Sequence, residues 1–255
     1  MDSVILQRDY DGQELTKLAK MNGVEGTVLV QVDQTEAETM WLLQQAASFP
    51  VIKGVVGWID LQAENIQERM SHFCSFPELK GFRHIVQSES ADFLQKPAFR
   101  RGIGNLRNFG FTYDILIYPQ HLPGAVDLVR AFPDQPFVVD HLAKPYIRQH
   151  ILEPWKGQMK QLGDCPNVYC KVSGMITEAH HQNWNYRQLV PYMDTVLEAF
   201  GTERLMFGSD WPVCRLAGAY EQVVEIVRQY ISGLSDAQQR QILHENAIKF
   251  YNLSP

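Results

Sequence analysis

Cysteine is scarce: Cys74, Cys165, Cys170 and Cys214 are the only four in 255 residues, and no two form a Cys-x-x-Cys pair. That spacing excludes a disulfide framework and a thiolate zinc cluster. Long apolar runs are missing as well, and no window approaches the ~18 uncharged residues of a membrane span. The opening Met1-Asp2-Ser3-Val4-Ile5-Leu6 has no basic region ahead of an apolar core, so no secretion signal is expected and the cytoplasm is the expected location. Basic residues are outnumbered, 23 against 29 acidic ones, for a net charge of −6. Without a basic arm or stripe, nucleic acid is excluded as a partner. No tract rich in Gly, Pro or Ser divides the chain, so residues 1–255 are expected to form one domain. A homo-oligomer is the one macromolecular assembly left open.

What is present is a rhythm. Gly26-Thr-Val-Leu-Val-Gln-Val32 is a β-branched run too short for a helix, and a Glu-, Gln- and Ala-rich helix from Thr35 to Ser48 follows. Strand-like runs recur at Ile52–Ile59, Leu79–Val86, Phe111–Ile117, Phe137–His141, Val168–Val172 and Leu205–Phe207. Helical segments separate them at 62–73, 97–108, 123–132, 151–162 and 186–200, with two more at 220–231 and 235–251. An earlier helix, from Asp11 to Met21, has a cap at Asp11 and a stop at Asn22-Gly23. Near-continuous apolar strands are buried on both faces, which implies a parallel sheet covered by helices. Seven such units fit either an open doubly wound sheet or a (β/α)8 TIM barrel whose first strand is absent. The doubly wound sheet announces itself by a glycine-rich phosphate turn. Gly54-Val-Val-Gly57 and Gly102-Ile-Gly104 fall inside a strand and a helix, so neither is such a turn. Polar residues gather instead at the C-terminal ends of many strands, as in a barrel.

Those strand ends carry the candidate chemistry. Arg83 and His84 close one strand, and Arg83 offers a fixed fork of donors for a carboxylate or carbonyl. His84 alternates to the opposite face. Asp114 lies inside the next strand, where a carboxylate must be paired, hydrogen-bonded or functional. Asp140, His141 and Lys144 follow another strand. His141 is suited to a metal, a water or an oxyanion, and Lys144 to an anionic or polyhydroxy ligand. Ser173 follows Val172 without the setting of a serine nucleophile. Asp210, after Phe207-Gly208-Ser209 and before Trp211-Pro212, is placed to take a proton from an attacking water, with or without a metal.

Taken together, Phe82-Arg83-His84, Val139-Asp140-His141-Leu142-Ala143-Lys144-Pro145 and Phe207-Gly208-Ser209-Asp210-Trp211-Pro212 resemble the amidohydrolase-related ("amidohydrolase 2") family. Within it the chain looks most like sugar-acid lactonases acting on L-fucono- and L-rhamnonolactone. The resemblance runs from Val4 onward and implies a distorted (β/α)8 barrel of the metal-dependent hydrolase type. It implies Asp210, His141 and Arg83 as catalytic groups, with His84, Asp114, Lys144, Trp211 and Ser173 around the sugar lactone. The family's opening strand carries an Asp-x-His-x-His-like motif, and no His-x-His exists in this chain. The barrel is therefore expected to lack its first strand. At most one divalent metal, zinc in the family's pattern, is implied on His141 and Asp210, and metal-free hydrolysis is the alternative. A decarboxylase of the same family and a catalytically impaired binding protein are the competing readings.

Overall fold

The computed structural model describes residues 3–254. Seven strands alternate with helices: β1 (Thr27–Val30), β2 (Ile52–Gly57), β3 (Leu79–Ile85), β4 (Thr112–Leu116), β5 (Phe137–Val139), β6 (Val168–Val172) and β7 (Leu205–Phe207). They form one sheet in sequence order, every neighbouring pair parallel. Among the described residues no ladder joins β1 to β7, so the sheet is open along that seam.

The sheet is nevertheless curled. Val56 of β2, Val138 of β5 and Met206 of β7 share one apolar cluster with Phe250 and Tyr251. Strands in a flat sheet lie ~4.8 Å apart, so side chains three and five strands away could not meet in one small cluster. The architecture is thus the distorted barrel that the sequence rhythm implies, without closure by an eighth strand. Its outer face is the larger core, where Phe73, Phe82, Phe99, Tyr113 and Trp155 are fully buried.

Local chemistry sets the element ends. Thr35 caps the helix Glu36–Ser48 by accepting the Glu38 amide, and Asp11 caps Gly12–Met21 by accepting that of Glu14. The expected helix from residue 62 starts only at Ile66, because Asp60 accepts the Gln62 and Ala63 amides in a turn first. The one expected from 151 starts at Trp155, after Pro154. The last helix starts after its Ser235 cap and carries a π turn at Gln241–Glu245. Asn246 then donates to the carbonyls of Thr202 and Leu205 at 2.7 and 2.6 Å, which holds the final turns under the barrel. Phe250 and Tyr251 plug its floor. No helix among the described residues is long and apolar enough to cross a membrane.

Candidate active site

Register decides which side chains enter the barrel. Arg83 is paired with Asp114, Asp114 with Val138, and Lys171 with Met206. Val138 and Met206 face inward, so Arg83, Asp114 and Lys171 do too, and Asp140 follows two residues after Val138. These four charges form a buried lattice across the interior. Arg83 contacts Asp140 at 2.7 Å, and Lys171 bridges Asp114 at 2.5 Å and Asp140 at 2.7 Å. Arg83 also donates to the Gln31 carbonyl, and Gln31 returns its side-chain amide to the Arg83 carbonyl at 3.0 Å. From below, the Tyr251 hydroxyl donates to Asp114 at 2.8 Å.

The lattice explains its own protonation. Burial pushes the Asp140 carboxyl up, but Lys171 and Arg83 outweigh it and hold the group well below the usual carboxylate range. Asp114 is pushed up to about 6 by burial, which its contact with Lys171 only partly offsets. Burial disfavours the Lys171 ammonium, yet Asp114 and Asp140 together raise its pKa.

This arrangement corrects three sequence expectations. Arg83 is only 7 % exposed and its fork is taken up by Asp140 and Gln31, so it is not a free clamp for a ligand. Asp114 is fully buried beneath the rim and binds Lys171 and Tyr251 rather than sugar hydroxyls. His84 points to the outer side of β3, stacked on Phe93 with ring centroids 4.7 Å apart. There its Nδ1 accepts from the Trp58 indole at 3.3 Å and its Nε2 faces Glu89 at 3.1 Å. Burial lowers its pKa.

Above the lattice, the loops after β5, β6 and β7 converge. His141 Nδ1 lies 2.8 Å from Ser173 Oγ, and His141 Nε2 lies 3.5 Å from Asp210 Oδ1. Thr177 Oγ1 donates to the Gly174 carbonyl at 2.8 Å and lies 3.3 Å from the other Asp210 oxygen. Burial lowers the His141 pKa, and Asp210 and Asp140 recover only part of the shift, so the ring is favoured in its neutral form. Trp211, packed edge-on against Tyr10 at 5.2 Å, has an indole N–H with no acceptor. Lys144 reaches Glu178 at 2.6 Å and is neutralised there, instead of standing free as the sequence suggested.

The convergence depends on unusual backbone. Among the described residues seven non-glycine positions have positive φ, and five of them are His141, Leu142, Ala143, Lys144 and Asp210. Such conformations cost about 1 kcal/mol or more each. They therefore concentrate strain at one place, the candidate site. Alternation from Val139 would have sent His141 outward, and the left-handed turn redirects it toward Asp210. Gly174, itself at φ +66°, permits the approach of the β6 loop, since a Cβ there would stand 2.7 Å from that of His141.

Two residues of this cluster, Thr177 and Glu178, escaped the sequence reading; they lie on the short helix Met175–Glu178 that follows β6. Tyr251 gave no signal, because 137 residues separate it from Asp114. A catalytic zinc ion takes three protein donors. His141 and Asp210 supply two, and no group of three His, Cys, Asp or Glu side chains gathers anywhere among the described residues. The donor set present does not fit zinc by itself.

Comparison with known proteins places this geometry. The family model described as amidohydrolase matches residues 2–253. The chain is 33 % identical over 250 residues to an L-fucono-1,5-lactonase of Burkholderia multivorans, covering 94 % of this chain and 84 % of that one. It is 35 % identical over 216 residues to an L-fucono-1,5-lactonase of Burkholderia ambifaria, covering 84 % and 74 %. A crystal structure of a Burkholderia multivorans amidohydrolase with bound zinc superposes at a TM-score of 0.95, with 33 % identity and coverage of 99 % and 92 %. The curled parallel barrel, the family match over nearly its whole length and the histidine–carboxylate pair at its rim agree: the chain belongs to the amidohydrolase family and is a hydrolase.

Proposed function

We propose that the protein hydrolyses a sugar-acid lactone, of the L-fucono- or L-rhamnonolactone type, to the open aldonate. The carrying observation is the Asp210 carboxylate at the end of β7, 3.5 Å from His141 Nε2 and next to Trp211. The likeness to two L-fucono-1,5-lactonases supports the substrate class.

Each group has a task that follows from its contacts. Ser173 donates its hydroxyl to His141 Nδ1, which leaves the ring proton on Nε2, on the side of Asp210. Asp210 takes a proton from water as the water oxygen adds to the lactone carbonyl. The His141 Nε2–H donates to the carbonyl oxygen as negative charge develops there. Collapse of the tetrahedral adduct breaks the ring C–O bond, and the departing oxygen takes the proton back from Asp210. Thr177 Oγ1 stands 3.3 Å from the Asp210 carboxylate, and Trp211 packs beside the site against Tyr10. No step passes through a metal.

The test is a pH-indicator assay over L-fucono-, L-rhamnono- and D-galactonolactone, with Asp210→Asn alongside. Hydrolysis of at least one lactone is expected, with kcat reduced by about 10²–10⁴-fold in the variant, the range for loss of a general base. No hydrolysis of any lactone by a folded protein overturns the reading.

A further inference from the structure

We propose that Trp155 is a positioning residue for the reaction: its indole holds, by one hydrogen bond, the loop that turns His141 into the site. The inference rests on the lactonase reading and adds to it a residue buried outside the barrel.

His141, Leu142, Ala143 and Lys144 all lie in the left-handed region, with φ of 51, 53, 55 and 50°. None is glycine, so no local preference keeps the chain there and contacts must hold it. Lys144 donates its amide to the His141 carbonyl at 2.7 Å, which closes the turn from within. From outside, the Trp155 indole N–H donates to the Leu142 carbonyl, also at 2.7 Å. Leu142 and Trp155 are both buried, at 0 % and 1 % exposure, so loss of the indole donor would strand a carbonyl away from water.

Trp155 can hold the loop because its own place is fixed. It opens the helix Trp155–Gly163, packs against Tyr192 of the helix Tyr186–Phe200 with ring centroids 5.4 Å apart, and shares the larger core with Met159 and Leu162 of its own helix. The bond therefore ties the strained loop to the outer layer of the barrel. Its acceptor belongs to the residue directly after His141, so it fixes the backbone at Leu142, φ 53° and ψ 25°, beside His141 at φ 51° and ψ 43°. Release lets the loop relax toward extended backbone, where alternation from Val139 carries the imidazole away from Asp210. A misplacement of about 1 Å in a group that stabilises developing charge can cost about a hundredfold in rate.

The experiment removes the donor. Trp155→Phe, and site-specific replacement of Trp155 by benzothienylalanine (an indole isostere without the N–H), are compared with wild type and with Leu162→Ala, which takes packing from the same helix and leaves the indole bond. Two quantities are read: kcat and KM for L-fuconolactone, and amide hydrogen exchange at Lys144 against the strand amides of Tyr113 and Cys170. In both Trp155 variants kcat is expected to fall about ten- to hundredfold with KM changed less than about threefold. Lys144 exchange is expected to rise about tenfold or more while the two strand amides hold, whereas Leu162→Ala speeds all three alike and keeps kcat per folded molecule. A kcat within about twofold of wild type in the isostere variant overturns the inference, as does exchange that rises in step at all three amides, or an equal kcat loss in Leu162→Ala. Should Trp155→Phe fail to fold, the isostere decides. If the wild type hydrolyses no lactone, the lactonase reading fails on its own, and Lys144 exchange in the isostere variant still decides whether Trp155 holds the turn.

Discussion

Ser173 Oγ stands 2.8 Å from His141 Nδ1, on the edge of the imidazole away from Asp210. A hydroxyl can donate or accept, whereas a carboxylate only accepts. With Asp210 facing Nε2, the arrangement that satisfies both neighbours puts the ring proton on Nε2 and the serine proton toward Nδ1. The hydroxyl of one buried residue, Ser173, thereby sets which ring nitrogen faces the reaction. In the proposed mechanism Ser173 acts as a positioning group for the His141 ring.

Replacing Ser173 by Ala removes the donor and frees the ring to adopt either tautomer. The expected result is a kcat lower by about tenfold or more, with KM changed little, because the loss concerns the transition state. Nitrogen NMR of His141 supplies the independent check: wild type should show the Nε2–H form, and the variant a mixture. A variant that keeps the wild-type tautomer would refute the assignment even if its rate fell.

The zinc question has a similarly direct measurement. Two donors, His141 and Asp210, form an incomplete set, so zinc is expected to bind weakly, in the micromolar range or above, and to be lost on His141→Ala. Titration of the apo-protein followed by calorimetry reads this. Stoichiometric nanomolar binding would mean that donors beyond these two take part.

How much of this was legible beforehand differs between fold and site. The strands were readable because each is a short, almost wholly apolar run, and burial on both faces demands that pattern. The rim position of Asp210 was readable because Gly208 and Pro212 bracket it. The engagement of Arg83, His84 and Asp114 by other protein groups was not, since it depends on which of two faces each occupies and, for Arg83 and Asp114, on partners 52 to 137 residues distant. His141 is the sharpest case. Strand alternation sends its side chain outward, and only a left-handed run through four non-glycine residues, which no local propensity favours, turns it into the site.

The buried lattice makes a stability prediction. Lys171 touches two carboxylates, so Lys171→Met would strand both Asp114 and Asp140 with fewer counter-charges. Breaking one side of a buried ion-pair set typically costs about 3–5 kcal/mol. Urea unfolding should register a loss of that order. A triple change that also makes Asp114 and Asp140 neutral should recover part of it, because the penalty comes from the uncompensated charges. A Lys171→Met protein as stable as wild type would show that the lattice contributes little.

Asp114 adds a pH dependence with a definite sign. Its folded pKa is pushed up to about 6 by burial, above the ~3.9 of an unperturbed aspartate. Between those values the native state holds the proton more tightly than the unfolded chain. By linkage, this group's contribution to stability is fully present below pH ~4, declines as pH rises to about 6, and stays lost above. His84 and His141 act in the opposite sense, since burial lowers both: their contribution is complete above pH ~6.5 and fades as pH falls. Asp140, held low, matters only under stronger acid. A single stability curve mixes these slopes, so the informative quantity is the difference between wild type and Asp114→Asn. The variant should gain on the wild type by up to about 3 kcal/mol between pH 4 and 6, and the gap should be constant from pH 7 to 8. A difference that is flat across the lower window would place the Asp114 proton elsewhere, on the Lys171 side of the pair.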